Sequence, residues 1–261
     1  MTTDKAGAMP ALTMHVITDL DVGGAERMLS NYLINRKAAG AAMVVNLSRG
    51  GAMADLLRDA GIDVVDLGIP KGNLRRLFHL PRAIAALARM IRRRRPGCIL
   101  GWMYHADIVA YLALRLSGRR ARTRIIAGIR CSHMDDRLYS PVFRAVVSAC
   151  RKISRRVDLV AYNSEAGRRE HEAAGFGGRS CVVPNGVNTD LFRPDTEARR
   201  SLRAELGIDA QARVAVIAAR VDPMKDYPAF LSALERMPEG AVAMAAGLGT
   251  NDDRLVPPHD R

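Results

Sequence analysis

Asp21-Val22-Gly23-Gly24-Ala25-Glu26 and Ala219-Arg220-Val221-Asp222-Pro223-Met224-Lys225-Asp226 each follow a run of apolar residues, Met14 to Leu20 and Val214 to Ala218 respectively. Both have the pattern of a buried strand turning into a helix. That is where an open α/β sheet presents backbone N–H groups and a helix dipole to an anion. The first turn brings Gly23 and Gly24, whose missing side chains let a ligand approach the backbone. The second brings fixed positive charge at Arg220 and Lys225. Together they suit a substrate carrying a diphosphate, with backbone donors on one side and cations on the other. His105 follows a further apolar run, Cys98–Trp102, and opens a helix between Tyr104 and Asp107, again at the ligand-binding edge. Arg130 occupies an equivalent loop and is placed to meet an acceptor phosphate.

The elements that would hold these residues alternate. Strands are expected at Met14–Leu20, Ala42–Leu47, Asp63–Leu67, Cys98–Trp102, Arg124–Gly128, Leu159–Tyr162 and Cys181–Pro184. Helical periodicity falls between them, at Ala25–Ala39, Ala52–Ala60, Pro81–Arg94, Ala106–Leu116, Pro141–Arg155 and Ser164–Ala174. Buried strands separated by amphipathic helices mean parallel strands joined by right-handed crossovers, a Rossmann-like domain with a parallel sheet. After Pro184-Asn185-Gly186-Val187-Asn188 a polar connector leads into helix Glu197–Leu206, strand Val214–Ala219, helix Tyr227–Met237 and strand Ala241–Ala246. This begins a second Rossmann-like unit. The expected organisation is therefore a complete first domain over 1–187 and a partial second one over 188–261, which looks truncated because about 75 residues hold only two or three strands. The first ten residues are expected to be disordered.

Composition narrows the partners. Forty Lys and Arg against 27 Asp and Glu make a net charge of +13, a field that attracts phosphorylated substrates, anionic lipid or nucleic acid. Much of it lies at Arg82, Arg89 and Arg92 to Arg95, on or after a helix whose apolar side is Leu80, Ile84, Leu87, Met90 and Ile91. That is first an ordinary amphipathic helix with a solvated basic end, and second a peripheral patch for anionic headgroups. No nucleic-acid recognition motif accompanies the charge. Four scattered cysteines without a C-x-x-C pair argue against a zinc site or a disulfide framework. No leader and no membrane-spanning run is expected, so a cytoplasmic location follows, with contact at the inner face of the membrane as an extension. An NAD-dependent oxidoreductase would share the fold type, but Asp21-Val22-Gly23-Gly24 is not G-x-G-x-x-G.

Six motifs in order carry a resemblance. Gly23-Gly24-Ala25-Glu26, Trp102-Met103-Tyr104-His105-Ala106-Asp107, Gly128-Ile129-Arg130, Tyr162-Asn163-Ser164, Val183-Pro184-Asn185-Gly186-Val187-Asn188 with Phe192 and Pro194, and Arg220 with Lys225 resemble the retaining GT-B glycosyltransferases of family 4. The likeness covers the chain from Met14 onward. It implies a GT-B-like α/β fold and transfer of a sugar, with retention, from a nucleotide diphosphate-sugar to a polysaccharide or lipid-linked acceptor, as in cell-envelope polysaccharide biosynthesis. Gly23, Gly24 and Glu26 correspond to the family's glycine turn and its acid, and Arg220 and Lys225 to the basic pair that holds the diphosphate and stabilises the leaving charge. His105 corresponds to the histidine near the donor sugar. Arg130, Asn163 and Asn185 fall among substrate-binding positions. No metal or other cofactor is implied, because the basic pair supplies the charge stabilisation a cation gives elsewhere.

One departure matters. The family's Glu-x7-Glu segment, which grips the donor's sugar and ribose, belongs after the Ala241–Ala246 strand, where the chain instead has Gly247-Leu248-Gly249 and then Asn251-Asp252-Asp253-Arg254. Glu197 and Glu205 have the spacing but precede the second unit's first strand. The competing expectation is accordingly a non-catalytic, truncated fragment that binds acceptor or partner only.

Overall fold

The computed structural model describes residues 12–36, 40–71, 76–132 and 140–251. The expected disorder of the first ten residues, the end of the first helix beyond Arg36, and Asp252-Asp253 lie outside them. The chain divides between Gly186 and Val187 into two compact units.

The first unit is built on strands β1 (Leu12–Ile17), β2 (Ala41–Asn46), β3 (Asp63–Asp66), β4 (Cys98–Trp102), β5 (Arg124–Ile129), β6 (Leu159–Tyr162) and β7 (Ser180–Val182). They form one sheet in the order β3-β2-β1-β4-β5-β6-β7, and each pair is parallel. The connecting helices are α1 (Gly24–Asn35), α2 (Ala52–Asp59), α3 (Arg76–Arg94), α4 (Tyr104–Leu116), α5 (Pro141–Ser154) and α6 (Glu165–Ala173). From β1 the chain moves outward through β2 to β3, then returns to the middle and runs the other way through β7. Right-handed crossovers therefore place the two sets of helices on opposite faces. Leu29 and Leu33 of α1 and Leu57 of α2 pack with Ile17, Val44 and Trp102 on one face. On the other, Leu87 and Ile91 of α3 and Val109, Ala113 and Leu114 of α4 pack with Met14, Val16, Met43 and Ile99. The β-branched and aliphatic strand residues are buried on both faces, as a parallel sheet requires.

One helix starts where the sequence argues against it. Proline favours the first turn, so a start at Pro81 is expected, yet α3 begins at Arg76 and carries Pro81 inside it. Pro81 removes one intrahelical bond. Leu80, Ile84 and Leu87, all packed on the sheet, hold the helix on both sides of that gap. The fourth helix likewise opens two residues early, at Tyr104, so His105 is its second residue and not its preface.

The second unit contains α7 (Thr196–Glu205), β8 (Val214–Ala218), a short 3-10 turn (Pro223–Lys225), α8 (Tyr227–Leu234) and β9 (Val242–Ala246), with β8 and β9 paired in parallel. Among its described residues only Tyr227 is buried. No helix of the described residues is long and apolar enough to cross a membrane.

Candidate functional site

The strand order places five of the expected turns side by side. Gly23–Glu26 follows β1, His105 follows β4, Arg130 follows β5, Asn163 follows β6 and Asn185 follows β7, and these strands are consecutive neighbours in the sheet. Five strands spaced about 4.8 Å apart set the turns along an edge of about 19 Å. Gly23 and His105 flank the point where the chain reverses direction, the crevice at which open α/β sheets bind ligands.

At the β1 turn the Gly23 backbone is extended, φ −147° and ψ 178°, and caps α1 without a side-chain hydrogen bond. The Glu26 carboxylate folds back over Gly23, so that a Cβ there would meet it, whereas a Cβ at Gly24 would meet nothing within 4 Å. The space in front of Gly24 is open, so no part of the protein demands glycine there.

Two adjoining turns are tied to each other. Met103 has φ 73° and ψ 161°, a conformation costly for a residue with a side chain. It is held in place because its N–H donates to the Gly128 carbonyl at 2.8 Å and its Sδ accepts the Arg130 N–H at 3.2 Å. Asp107, buried in α4, accepts the Gly128 N–H at 3.1 Å through Oδ1, and burial pushes its carboxyl well above the ordinary carboxylate range. The β4 turn that carries His105 and the β5 turn that carries Arg130 are thus fastened to each other. Tyr104 and Asp107, which flank His105 in the sequence, both turn into the core and away from the edge. The Tyr104 hydroxyl lies 2.6 Å from His171 Nε2 and 3.2 Å from Cys131 Sγ. Their contribution is to position the turn.

Arg130 is half-buried. Its guanidinium lies 4.5 Å above the Trp102 ring centroid, its Nη1 reaches the Val183 carbonyl at 3.5 Å, and its Nε is buried without a partner. Burial lowers its pKa, although a guanidinium remains charged. Asn163 donates through Nδ2 to the Arg130 carbonyl at 3.3 Å, while its Oδ1 is buried without a partner. Arg130 and Asn185 line a cavity of about 280 Å³ on the α1 side of the sheet, together with Tyr32, Trp102 and Pro184. His105 lines a different one, about 340 Å³, on the opposite side, among α3, α4, α5 and the turns after β1, β2 and β3. Of the expected site residues of the first unit, Arg130 and Asn185 thus line one recess and His105 the other, while Gly23, Gly24, Glu26 and Asn163 line neither.

In the second unit Arg220 follows β8, as the sequence leads one to expect, but it is not an isolated cation. Its Nε and Nη2 donate to Asp222 Oδ2 at 3.1 and 2.9 Å, and Asp222 also accepts the Met224 N–H at 3.0 Å. That backbone bond and the Arg220 pair hold the Asp222 carboxyl below its usual range. Lys225 closes the 3-10 turn, and its N–H bonds the Asp222 carbonyl at 2.9 Å. The turn is braced from behind: the Tyr227 hydroxyl donates to the Ala219 carbonyl at 2.6 Å, and Gly247 comes so close to Ala219 that a Cβ would strike its carbonyl. Asp222, Trp102 and Met103 were missing from the expected set. Asp222 had a visible signal, an acid two residues from a basic phosphate candidate; the other two act through contacts between strands.

Among the described residues no three His, Cys, Asp or Glu side chains are grouped to hold a metal ion. The fold is shared with solved proteins. HepE from Anabaena, determined with UDP and glucose, superimposes with a TM-score of 0.70 at 21% identity over 93% of this chain and 64% of that one. Sucrose-phosphate synthase from Thermosynechococcus elongatus gives 0.69 at 15% identity over 92% of this chain and 63% of that one. Among curated proteins, the GDP-mannose-dependent α-(1-6)-phosphatidylinositol monomannoside mannosyltransferase of Mycolicibacterium smegmatis is 32% identical over 135 residues, 49% of this chain and 34% of that protein. Its counterpart in Mycobacterium tuberculosis H37Rv is 32% identical over 155 residues, 57% of this chain and 38% of that protein. The chain thus aligns with about a third of the length of these relatives. The model for Glycosyltransferase Family 4 matches residues 22–191, nearly the whole of the first unit and the start of the second, and the chain belongs to that family.

Proposed function

We propose that the chain acts in glycosyl transfer from a nucleotide diphosphate-sugar to a polysaccharide or lipid-linked acceptor, with retention of anomeric configuration. The observation that carries this reading is the row of turns along one sheet edge, with open space before Gly24, a half-buried cation at Arg130 and a histidine at the reversal point. The first unit takes the acceptor side. In the second, Arg220 and Lys225 meet the diphosphate, Arg220 through a planar fork already aligned by Asp222 and Lys225 as a point charge. Fixed cations there stabilise the leaving oxygen as charge develops, which is the work a metal ion does in other transferases, so the reaction proposed uses no metal or other cofactor. His105 hydrogen-bonds the donor sugar, and Asn163 and Asn185 bind substrate beside Arg130. The mycobacterial relatives, whose names specify GDP-mannose and a phosphatidylinositol glycoside, support a glycolipid acceptor. The setting proposed is cytoplasmic, with contact at the inner face of an anionic membrane.

Transfer assayed with a panel of nucleotide-sugars tests the reading. Arg220→Ala and Lys225→Ala should each lower the rate on the order of a hundredfold, because each removes a charge-stabilising group at the leaving oxygen. NMR of the product should show the donor's anomeric configuration. Variants within a few-fold of the parent, or an inverted product, would overturn the assignment.

A further inference from the structure

We infer that the recess beside His105 receives the hydrocarbon part of an amphiphilic acceptor, so that the acceptor is lipid-linked and not a free polysaccharide. The inference rests on the glycosyl-transfer reading and narrows its acceptor. The walls of this cavity of about 340 Å³ are mostly apolar, with a few polar groups on one side. The strand turns contribute those polar groups, Asp19 after β1, Ser48 after β2 and Lys71 after β3, beside the apolar Leu47, Ile69 and Pro70. The helices contribute aliphatic ones: Leu80 from α3, Ile108 from α4, and Val142 with Val146 from α5. His105 and Ile108 are three residues apart on one face of α4, and Val142 and Val146 four apart on one face of α5, so each helix turns a continuous strip to the recess. Val142 is left 40% exposed, an aliphatic side chain facing water at the ligand-binding edge.

A glycan buried against these aliphatic walls would give up hydrogen bonds to water and gain none in return. A ligand with a hydroxylated head and a hydrocarbon body meets both the polar groups and the apolar walls. Its head lies toward Asp19, Ser48 and Lys71, its chain runs between α4 and α5, and His105 stands at the junction.

A chain-length series tests this: methyl, hexyl, octyl and decyl glucoside at submicellar concentrations, with binding to the full chain followed by NMR or calorimetry. Burying one methylene contributes about 0.8 kcal/mol, a factor of about four in affinity. Affinity should rise about fifteenfold from hexyl to octyl and level off once the recess is full. Val142→Glu, at an already exposed position, and Val146→Trp, which fills the recess while staying apolar, should both abolish the rise and leave methyl glucoside binding unchanged. A flat series overturns the inference. So does a rise that persists in both variants, as indiscriminate adsorption would give. The two readings fail separately: chain-length-dependent binding without sugar transfer removes the enzymatic reading and leaves the recess, and transfer to a water-soluble acceptor with a flat series does the reverse.

Discussion

At the scale of single residues, three of the six histidines, His15, His105 and His171, sit in different surroundings. His105 stands at the edge, whereas His15, 1% exposed on β1, accepts the Trp102 indole N–H through Nδ1 at 3.2 Å. Burial first, and then the positive charges of Arg36 and Arg130, push its pKa down to about 3. The folded chain thus holds His15 neutral while the unfolded chain takes up a proton near pH 6.5. Its contribution is complete above that pH and is lost as pH falls toward the folded value. One such proton corresponds to a slope of about 1.4 kcal/mol per pH unit. His171 adds to the same limb, since burial lowers its pKa too. His15→Gln keeps an acceptor for Trp102 and cannot protonate, so urea midpoints for this variant should decline less steeply below pH 6.5, by about one proton's worth. An unchanged slope would show that His15 is not neutral in the folded state. Trp102, which His15 fixes from below, is the ring on which Arg130 stacks, so a buried core residue here reaches the candidate site.

At the scale of elements, the close pairing of β4 with β5 is what brings His105 and Arg130 together. A Cβ at Gly128 would strike the Gly101 carbonyl oxygen, and one at Gly101 would strike Asp107. Gly128 faces backbone, which cannot swing aside as a side chain tip can. Gly128→Ala should therefore spread the two strands and cost about 1–3 kcal/mol, seen as a lower urea midpoint at unchanged m-value. Binding at Arg130 should weaken with it, because Met103 ties both turns to Gly128. A variant as stable as the parent would mean that the strands are less closely joined than the structure has them. Little of this was legible in the sequence. Gly101 and Gly128 read as ordinary strand glycines; the demand on Gly128 comes from Gly101 on the neighbouring strand, and that on Gly101 from Asp107 in the helix that follows it.

At the scale of the whole molecule, the units differ in how well they are buried. Tyr104, Tyr162, Met14, Leu87 and Ile99 are all less than 2% exposed, whereas the second unit buries only Tyr227 among its described residues. Amide exchange should therefore be slow in β1, β4 and β5 and faster in β8 and β9, and limited proteolysis should cut beyond Asn188 and leave the first unit resistant. Equal protection in both units would contradict this. The alternation also gathers charge. Every helix-to-strand connection in the first unit lies at the amino edge, so Arg92 to Arg95 at the end of α3, Arg119, Arg120 and Arg122 after α4, and Arg155 and Arg156 after α5 share one side. Arg94 pairs with Asp63 at 3.2 Å, and Arg120 with Asp158 at 3.0 Å. Arg155 donates to the Gly175 carbonyl at 3.2 Å, and Arg92, Arg93, Arg95, Arg122 and Arg156 are exposed on the side away from His105, so an anionic surface drawn to the basic end of α3 would meet the edge opposite the candidate site.

From the sequence alone came the class of fold, most element positions, and the turns that carry Gly24, His105, Arg130 and Arg220, because strand and helix periodicity and the residues at a strand's end are local properties of the chain. Strand order was not local. Only the tertiary structure decided that the five turns after β1, β4, β5, β6 and β7 stand in a row and that His105 and Arg130 line recesses on opposite sides of the sheet. It also decided that Tyr104 and Asp107 turn inward, which their places beside His105 had not foretold. Each of these depends on which distant segments pack together. That choice is made by burying apolar surface on two faces at once, a condition that no single stretch of sequence contains.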